Sequence, residues 1–418
     1  MTLIEIFDRT PVENIISTLA VKPDRVIFVG PDSKKARRAI PAYRQILENR
    51  GIRSEMSVHG VAKNDLEGIL EELNKIFADP DEKNFIIDIS GGDEGSLVAV
   101  GMILGGHAKP AGKRICAFRI NPVSRHATLF ELKHTDGGIS VERTICDFSA
   151  GTQVYLTVEE DVILHGGKVL DRGLKFERGD AVEEDIDVMW TLCWTKCKNW
   201  NVEIGRISAA ISRYTDDGDV YIISDEAFKK GRNQVDRALF DRFIEDGLIL
   251  PVKKDGDLLS FRFKNRIVKE CLTKAGSLLE YYTYKTALSV KRDNAYLYDD
   301  AEVGVVICWD DDVEGTRNEI DCMVTSGVIP VFISCKNGNI ETDELYKLNS
   351  VADRFGHEYA KTALASTVFF DEDDPSYDGD MAANNLKNRA DDMGIRMLST
   401  LHKVPVERFM KQLSGLVG

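Results

Sequence analysis

Late in the chain, residue types suited to phosphodiester cleavage stand at suggestive spacings. Asp321 lies in the apolar stretch "NEIDCMV", and Ser334 and Lys336 stand two apart in "VFISCKNG". Hydrolysing a phosphodiester needs a water activated near neutral pH and compensation of the charge that builds on the phosphate. A divalent ion held by carboxylates supplies both, and a lysine adds positive charge. A carboxylate between Ile320 and Cys322 also needs a partner wherever the strand is buried. Upstream, Glu280 falls in "AGSLLEYYTYKTALSVK", whose Leu279, Tyr282 and Thr286 repeat at helical spacing. Each residue also has a plainer reading: Glu280 as a solvent-facing helix residue, Lys336 as a strand end. Glu319 shares the parity of Asp321 but sits nearer the strand start, and Asp343 and His357 read as helix-surface or capping residues.

The elements that must position these residues are legible. "EVGVVICWDDD" reads as a strand, and residues 317–338 as two strands joined near Ser326-Gly327. If those two residues are the turn, Thr325 faces Val328 and Asp321 faces Phe332. Side chains alternate along a strand, so Asp321, Phe332, Ser334 and Lys336 then share a face. "DELYKLNSVADRFG" follows as a helix.

The first 150 residues alternate strands and helices: "DRVIFVGPD", "SKKARRAIPAYRQILENRG", "IRSEMSVHG", "DLEGILEELNKIFAD", "KNFIIDISGGDEGSLVAVGMILGG" and "GKRICAFRI". Such alternation predicts a doubly wound α/β domain with a parallel sheet, whose ligands bind beyond the carboxyl ends of the strands. Two loops lie there: Gly30-Pro31-Asp32-Ser33-Lys34-Lys35 and Ser90-Gly91-Gly92-Asp93-Glu94-Gly95-Ser96. Glycines admit close backbone approach, and the helix starts behind them offer N–H groups to a phosphate or a ribose. No G-x-G-x-x-G follows the first strand, which argues against a dinucleotide cofactor.

Between these ends, Cys193 and Cys197 have no second pair at zinc spacing, so no zinc site is expected. Trp190, Trp194 and Trp200 read as packing residues, and His165, before Gly-Gly, as a turn residue. Residues 233–265 read as a helix and a hairpin turning at Asp255-Gly256, which resembles a winged-helix unit. Its helix carries Asp236, Asp241, Glu245 and Asp246, unfavourable against phosphates, so a connector role is expected. The net charge of −15 argues against nonspecific coating of nucleic acid. The acidic run Asp371, Glu372, Asp373, Asp374 reads as a solvated loop. No apolar run reaches the roughly 18 residues of a membrane span. The eight cysteines are scattered, and the opening "MTLIEIFDRTPVENI" has no basic segment leading into an apolar one. A cytoplasmic protein with reduced thiols is expected.

Two resemblances organise these readings. "FIIDISGGDEGSLVAVG" resembles the signature of CARF domains, the cyclic-oligonucleotide sensors of type III CRISPR systems. Asp88 matches the strand-end aspartate, Ser90 replaces a threonine, and Gly91 and Gly92 match. Asp93 and Glu94 stand where the family often has Thr-Lys, and Lys34, Lys35, Arg37 and Arg38 are placed to compensate. The resemblance implies a two-fold homodimer binding a cyclic oligoadenylate, most often the tetramer, through residues 30–34, 90–94 and Ser96. The last third is similar to the PD-(D/E)XK nucleases, and more closely to CRISPR ancillary nucleases that fuse this core to a CARF domain. It implies Asp321 as the principal ligand of Mn²⁺ or Mg²⁺, Glu280 as a second, and Lys336 as the catalytic lysine. Ser334 then lines the metal site, with its carbonyl or that of Cys335 ligating. The expected chain is thus a CARF domain (1–150), a connector with winged-helix character (151–265) and a restriction-endonuclease-like domain (266–418). The expected function is a metal-dependent nuclease acting on RNA or DNA and activated by cyclic oligoadenylate. The rivals are a ligand-responsive transcription regulator with a degenerate core and a mononucleotide-using enzyme.

Overall fold

The computed structural model describes residues 1–7, 11–31, 33–63, 65–106, 112–135, 138–147, 154–196, 199–213, 219–309, 317–338, 340–356, 359–367 and 381–417. Asp32, Cys197, His357 and the acidic run 371–374 lie outside these, as do the side chains of Ser33 and Lys35.

The amino-terminal elements are β1 (Thr2–Ile6), α1 (Pro11–Val21), β2 (Arg25–Gly30), α2 (Ser33–Asn49), β3 (Glu55–Gly60), α3 (Leu66–Phe77), β4 (Asn84–Asp88), α4 (Glu94–Leu104), β5 (Arg114–Asn121), β6 (His126–Thr135) and β7 (Gly138–Asp147). They form one sheet in the order β3-β2-β1-β4-β5-β6-β7. The first five strands pair in parallel, and β6 and β7 extend the sheet as an antiparallel hairpin. The sequence reading missed β1 and α1. Glu5 interrupts the apolar run of β1, yet it is fully buried. One face of the sheet packs on α1 and α2 through Val12, Ile15, Phe28 and Tyr43. The other packs on α3 and α4 through Ile4, Leu73, Ile87 and Val100.

Next come α5 (Val158–Leu164), β8 (Gly167–Asp171), α6 (Val182–Lys196), α7 (Trp200–Ala210), β9 (Ser212–Arg213), β10 (Tyr221–Ser224), α8 (Arg237–Glu245), β11 (Ile249–Asp255), β12 (Leu258–Phe263) and α9 (Arg266–Thr273). Strands β9 to β12 form a small antiparallel sheet, β11-β12-β10-β9, beside α7, α8 and α9. The β11–β12 hairpin is as expected, with Asp255 paired to Leu258 and Gly256 at φ +57°. Trp190 stacks on Tyr282, and Trp200 lies edge-on to Phe243. Trp194, read as a packing residue, is instead exposed.

The remaining elements are α10 (Ser277–Ser289), β13 (Lys291–Arg292), β14 (Ala295–Tyr296), β15 (Asp300–Trp309), β16 (Arg317–Ser326), β17 (Ile329–Lys336), α11 (Thr342–Phe355), β18 (Lys361–Ser366), α12 (Met381–Asp392), β19 (Ile395–Leu398) and α13 (Val406–Ser414). A six-stranded sheet, β19-β18-β17-β16-β15-β8, includes β8 as an edge strand, although residues 167–171 fall in the segment read as connector. One apolar core runs from Phe240 and Phe261 beside α8 through Tyr282 on α10 to Val324 and Val331 on the sheet. The opposite face of that sheet packs on α5, α11 and α12.

The β16–β17 turn differs from the expected one. Ser326 pairs with Ile329, so the two-residue loop is Gly327-Val328, not Ser326-Gly327. Gly327 takes φ +63° at the first loop position, which glycine tolerates and which suits a tight hairpin. Val328 is buried within the α1–α2 core of the amino-terminal domain, next to Ile15, Phe118 and Leu156. Around it, Arg125 of the β5–β6 turn donates to Asp299 (2.9 Å) and Ser326 (2.8 Å), and the Gly327 N–H donates to Asp299 (2.6 Å). The turn of the second sheet's hairpin is therefore seated in the first domain.

Candidate functional site

The register shift moves the pairing by two residues and so preserves its parity. Cys322 pairs with Ile333, which sets Asp321 level with Ser334 rather than with Phe332. Simple alternation nevertheless fails at this point. Gly304, at φ +58°, lies between the β15–β16 pairs Val303↔Cys322 and Val305↔Ile320, and so stands opposite Asp321. Val303 and Cys322 enter one core, whereas Val305 and Ile320 enter the other. Both strands switch face here, and the Asp321 carboxylate reaches the gap where β16 and β17 part. Its Oδ2 accepts from the Cys335 N–H (2.6 Å) and the Ser334 hydroxyl (3.1 Å), with Lys336 Nζ 3.7 Å away. No described residue hydrogen-bonds Oδ1.

Lys336 also meets Glu344 on α11, 3.2 Å away, and Glu344 bonds Lys347 in turn. Burial pulls the Lys336 ammonium down, but Asp321 and Glu344 outweigh it and leave the pKa raised. The lysine is thus a permanent cation beside Asp321, suited to charge compensation rather than to proton abstraction. Glu280 is half-buried, and its carboxyl is pushed up to about 7 by burial and then by Asp321, against the pull of Lys274 and Lys336. Asp321 with the Ser334 hydroxyl on it, and Glu280, whose ionisation Asp321 disfavours, offer hard oxygen donors. Among the described residues no three His, Cys, Asp or Glu side chains converge as a cage. The set fits a small divalent ion that keeps several of its waters. Burial, and then Asp321, pushes the Cys335 thiol up, so this residue can offer a main-chain carbonyl but not a thiolate. Glu319 turns outward to Lys274 at 3.4 Å.

At the other end of the chain, strand order reverses about β1, leaving a crevice between β1 and β4. Two loops pack tightly on the end of β1. A Cβ on Gly30 would lie 2.7 Å from the Phe7 carbonyl oxygen, and one on Gly92, at φ +111°, 2.5 Å from Ile6. Asp93 caps α4, its side chain accepting from the Ser96 N–H (3.2 Å) and hydroxyl (2.6 Å). This folds the carboxylate back onto the helix start. Ser96 itself is buried, with its hydroxyl on Asp93. The Ser90 hydroxyl donates to Asp88 (2.6 Å) and accepts from the Ile120 N–H (2.9 Å). Glu94 and Lys34 are exposed, and Pro31 and Gly91 are partly so.

Beneath this loop lies a pair that the sequence reading did not find. Glu5 and Asp88 are both buried, and the Ser17 hydroxyl meets Glu5 (2.9 Å) and Asp88 (2.6 Å). Thr18 and Asn14 also donate to Glu5. Burial and then Asp88 push Glu5 well above the usual carboxylate range, which holds it as the protonated partner of Asp88. No glutamate inside an apolar strand announces a second carboxyl 83 positions away, so only the fold brings them together.

No family model matches the chain, and no curated protein matches it in sequence. Solved structures do. Protein VC1899 from Vibrio cholerae aligns with a TM-score of 0.69 at 15% identity, over 100% of this chain and 97% of that one. Can2 from Sulfobacillus thermosulfidooxidans, solved in complex with cyclic tetra-adenylate, aligns with a TM-score of 0.62 at 17% identity, over 100% and 97%. The fold is theirs from end to end. The two large sheets and the elements between them therefore follow one shared α/β architecture.

The Glu5–Asp88 pair generates a stability prediction. A raised Glu5 stabilises the fold fully below its unfolded value of about pH 4.3, and that contribution is lost as pH rises toward the folded value. Glu5→Gln keeps the hydrogen-bonding shape without titrating, so its denaturation midpoint should rise relative to the parent between pH 5 and pH 8. Glu5→Ala should cost about 1–3 kcal/mol at pH 5 by stranding its partners, and less at pH 8, where the parent has lost the titrating contribution. An identical pH response of parent and Glu5→Gln would contradict the assignment.

Proposed function

We propose that this chain is a metal-dependent nuclease switched on by a cyclic oligoadenylate, cyclic tetra-adenylate foremost, in type III CRISPR defence. The observation that carries the reading is the meeting of Asp321, Ser334 and Lys336 on a hairpin whose turn is seated in a CARF-like domain, with Glu280 of α10 near enough to feel the charges of Asp321 and Lys336. The end-to-end likeness to Can2, itself bound to cyclic tetra-adenylate, supports the choice of ligand.

In this reading Asp321, Glu280, the Ser334 hydroxyl and the carbonyl of Ser334 or Cys335 hold Mn²⁺ or Mg²⁺. When bound, the ion supplies a nucleophilic water at neutral pH and neutralises phosphate charge. Lys336, kept cationic by Asp321 and Glu344, faces the phosphate and compensates the charge that develops there. The Ser334 and Cys335 donors fix the Asp321 carboxylate in place. RNA or DNA is the substrate, in the cytoplasm.

The ligand sits on the loops 30–34 and 90–94 at the β1–β4 crevice, with phosphate received at the start of α4. A ring with two-fold symmetry needs two such loops, so the active form is a homodimer. An exposed apolar surface adjoins this loop: Leu97, Val98 and Met102 on α4, and Ile139 and Val141 on β7. We assign that surface to the second copy. The signal passes through Arg125 and the Gly327-Val328 turn to the strands carrying Asp321 and Lys336. The transcription-regulator reading is less favoured because the α8 arginines are engaged by their own helix, Arg237 with Asp241 and Arg242 with Asp246.

Plasmid DNA and labelled RNA and DNA strands, incubated in Mn²⁺ with and without cyclic tetra-adenylate, test the activity. Cleavage should need both additions and fall roughly a hundredfold or more in Asp321→Ala and Lys336→Ala. Undiminished cleavage by those variants would overturn the assigned site. Met102→Glu should convert a dimer to a monomer by light scattering and weaken ligand binding at least about tenfold. A dimer of unchanged affinity would remove α4 from the interface.

A further inference from the structure

The connector sends one side chain into the neighbourhood of the candidate active site. Asn201 stands in the first turn of α7, next to Trp200, which is buried against Phe243. Its amide is used on both sides. Nδ2 donates to the main-chain carbonyl of Asn337 (2.7 Å), and Oδ1 accepts from the Gly276 N–H and from Asn337 Nδ2, both at 3.3 Å. Asn337 Oδ1 in turn accepts from the Thr367 hydroxyl, just beyond β18.

These partners are not arbitrary places in the fold. Gly276 is the N-cap of α10, at φ +96° and without a side chain to cap the helix, and α10 carries Glu280. Asn337 directly follows Lys336. The Glu280 carboxylate folds back toward this junction: a Cβ on Gly276 would lie 3.4 Å from its Oε1. One amide thus ties together the start of the helix bearing Glu280 and the end of the strand bearing Lys336. Through Asn337 it also reaches the end of the neighbouring parallel strand. No other described hydrogen bond joins the Gly276 N–H to the β17 end.

We infer that Asn201 is a positioning residue for the nuclease chemistry, setting the Glu280 carboxylate relative to Asp321 and Lys336 from outside the nuclease sheet. The inference rests on the proposed function for its chemistry and on geometry alone for the tie itself. It makes the connector part of the active site rather than a spacer, because the position of α7 fixes the distance between two reacting groups that belong to other elements.

The test uses the full chain, with Asn201→Ala, Asn337→Ala and the double variant. Residues that orient first ligands typically contribute about 10–100-fold to metal affinity or activity. Asn201→Ala should lower kcat by that factor with KM for nucleic acid little changed, and weaken Mn²⁺ binding, read by electron paramagnetic resonance, to a similar degree. Binding of cyclic tetra-adenylate should stay as in the parent. The double variant should be no slower than Asn201→Ala alone, since Asn337→Ala keeps the main-chain carbonyl and removes only the side-chain share of the same tie. Hydrogen exchange should rise in peptides covering 274–281 and 334–338 and remain unchanged elsewhere. Unchanged kcat and Mn²⁺ affinity, losses that multiply in the double variant, or exchange that rises across the whole chain would each overturn the inference. If the parent cleaves nothing under any condition, the proposed function fails separately. The exchange and Mn²⁺ readouts still decide the tie, with unchanged local exchange in Asn201→Ala refuting it.

Discussion

Val328 belongs by sequence to the second sheet and by packing to the first domain, and the coupling of the two depends on that fact. A two-residue turn inserted into another domain's core cannot move independently of it, because close-packed interiors transmit displacement instead of absorbing it. The polar contacts around the turn add direction. Arg125 grips Asp299 and Ser326, and Leu156 accepts from the Thr325 hydroxyl while its N–H donates to the Gly327 carbonyl. Five residues further along β16 the strand reaches Asp321, and eight beyond Val328 β17 reaches Lys336. A second tie runs from α1, where Glu13 accepts from Tyr359 (2.6 Å) just before β18. The same helix carries Ser17, which holds Asp88 beneath the 90–94 loop. The 90–94 loop, α1 and the hairpin bearing Asp321 and Lys336 are thus joined through a chain of contacts.

Charge organises the site as firmly as packing does. Glu280 and Asp321 repel, Lys336 and Lys274 attract, and Glu344 anchors Lys336 from the far side. With only Asp321 and Glu280 as carboxylates, the oxygens of the proposed site rely on support from neighbouring elements. That support comes from the Cys335 N–H for Asp321 and from Asn201 for the frame around Glu280.

Asp321, Ser334 and Lys336 were legible because strand alternation is a strong regularity, and the register error of two residues left parity intact. The face switch at Gly304 and Asp321 was not, since a positive φ in mid-strand leaves no mark beyond the glycine itself. Asp93 looked like a charge unfavourable to phosphate; its role as an N-cap becomes visible only with Ser96 folded against it. Glu5 and Asn201 escaped notice because each acts on a residue from a distant segment. Periodicity and spacing describe one element at a time and say nothing of contacts between elements far apart in the chain. The doubly wound parallel sheet of the first domain was readable from its alternation, whereas β1 was hidden by the glutamate within it.

If the hairpin turn carries the signal, Arg125→Ala interrupts it at the polar contacts that hold the turn. Arg125 bonds Asp299 and Ser326 and has no described hydrogen bond to the 90–94 loop or to Asp321, so ligand affinity and cleavage can be read separately. Cyclic tetra-adenylate binding by calorimetry should match the parent, while the stimulation of cleavage by that ligand falls by roughly 5–150-fold, the span of a lost allosteric coupling. Full stimulation in Arg125→Ala at unchanged affinity would contradict the account.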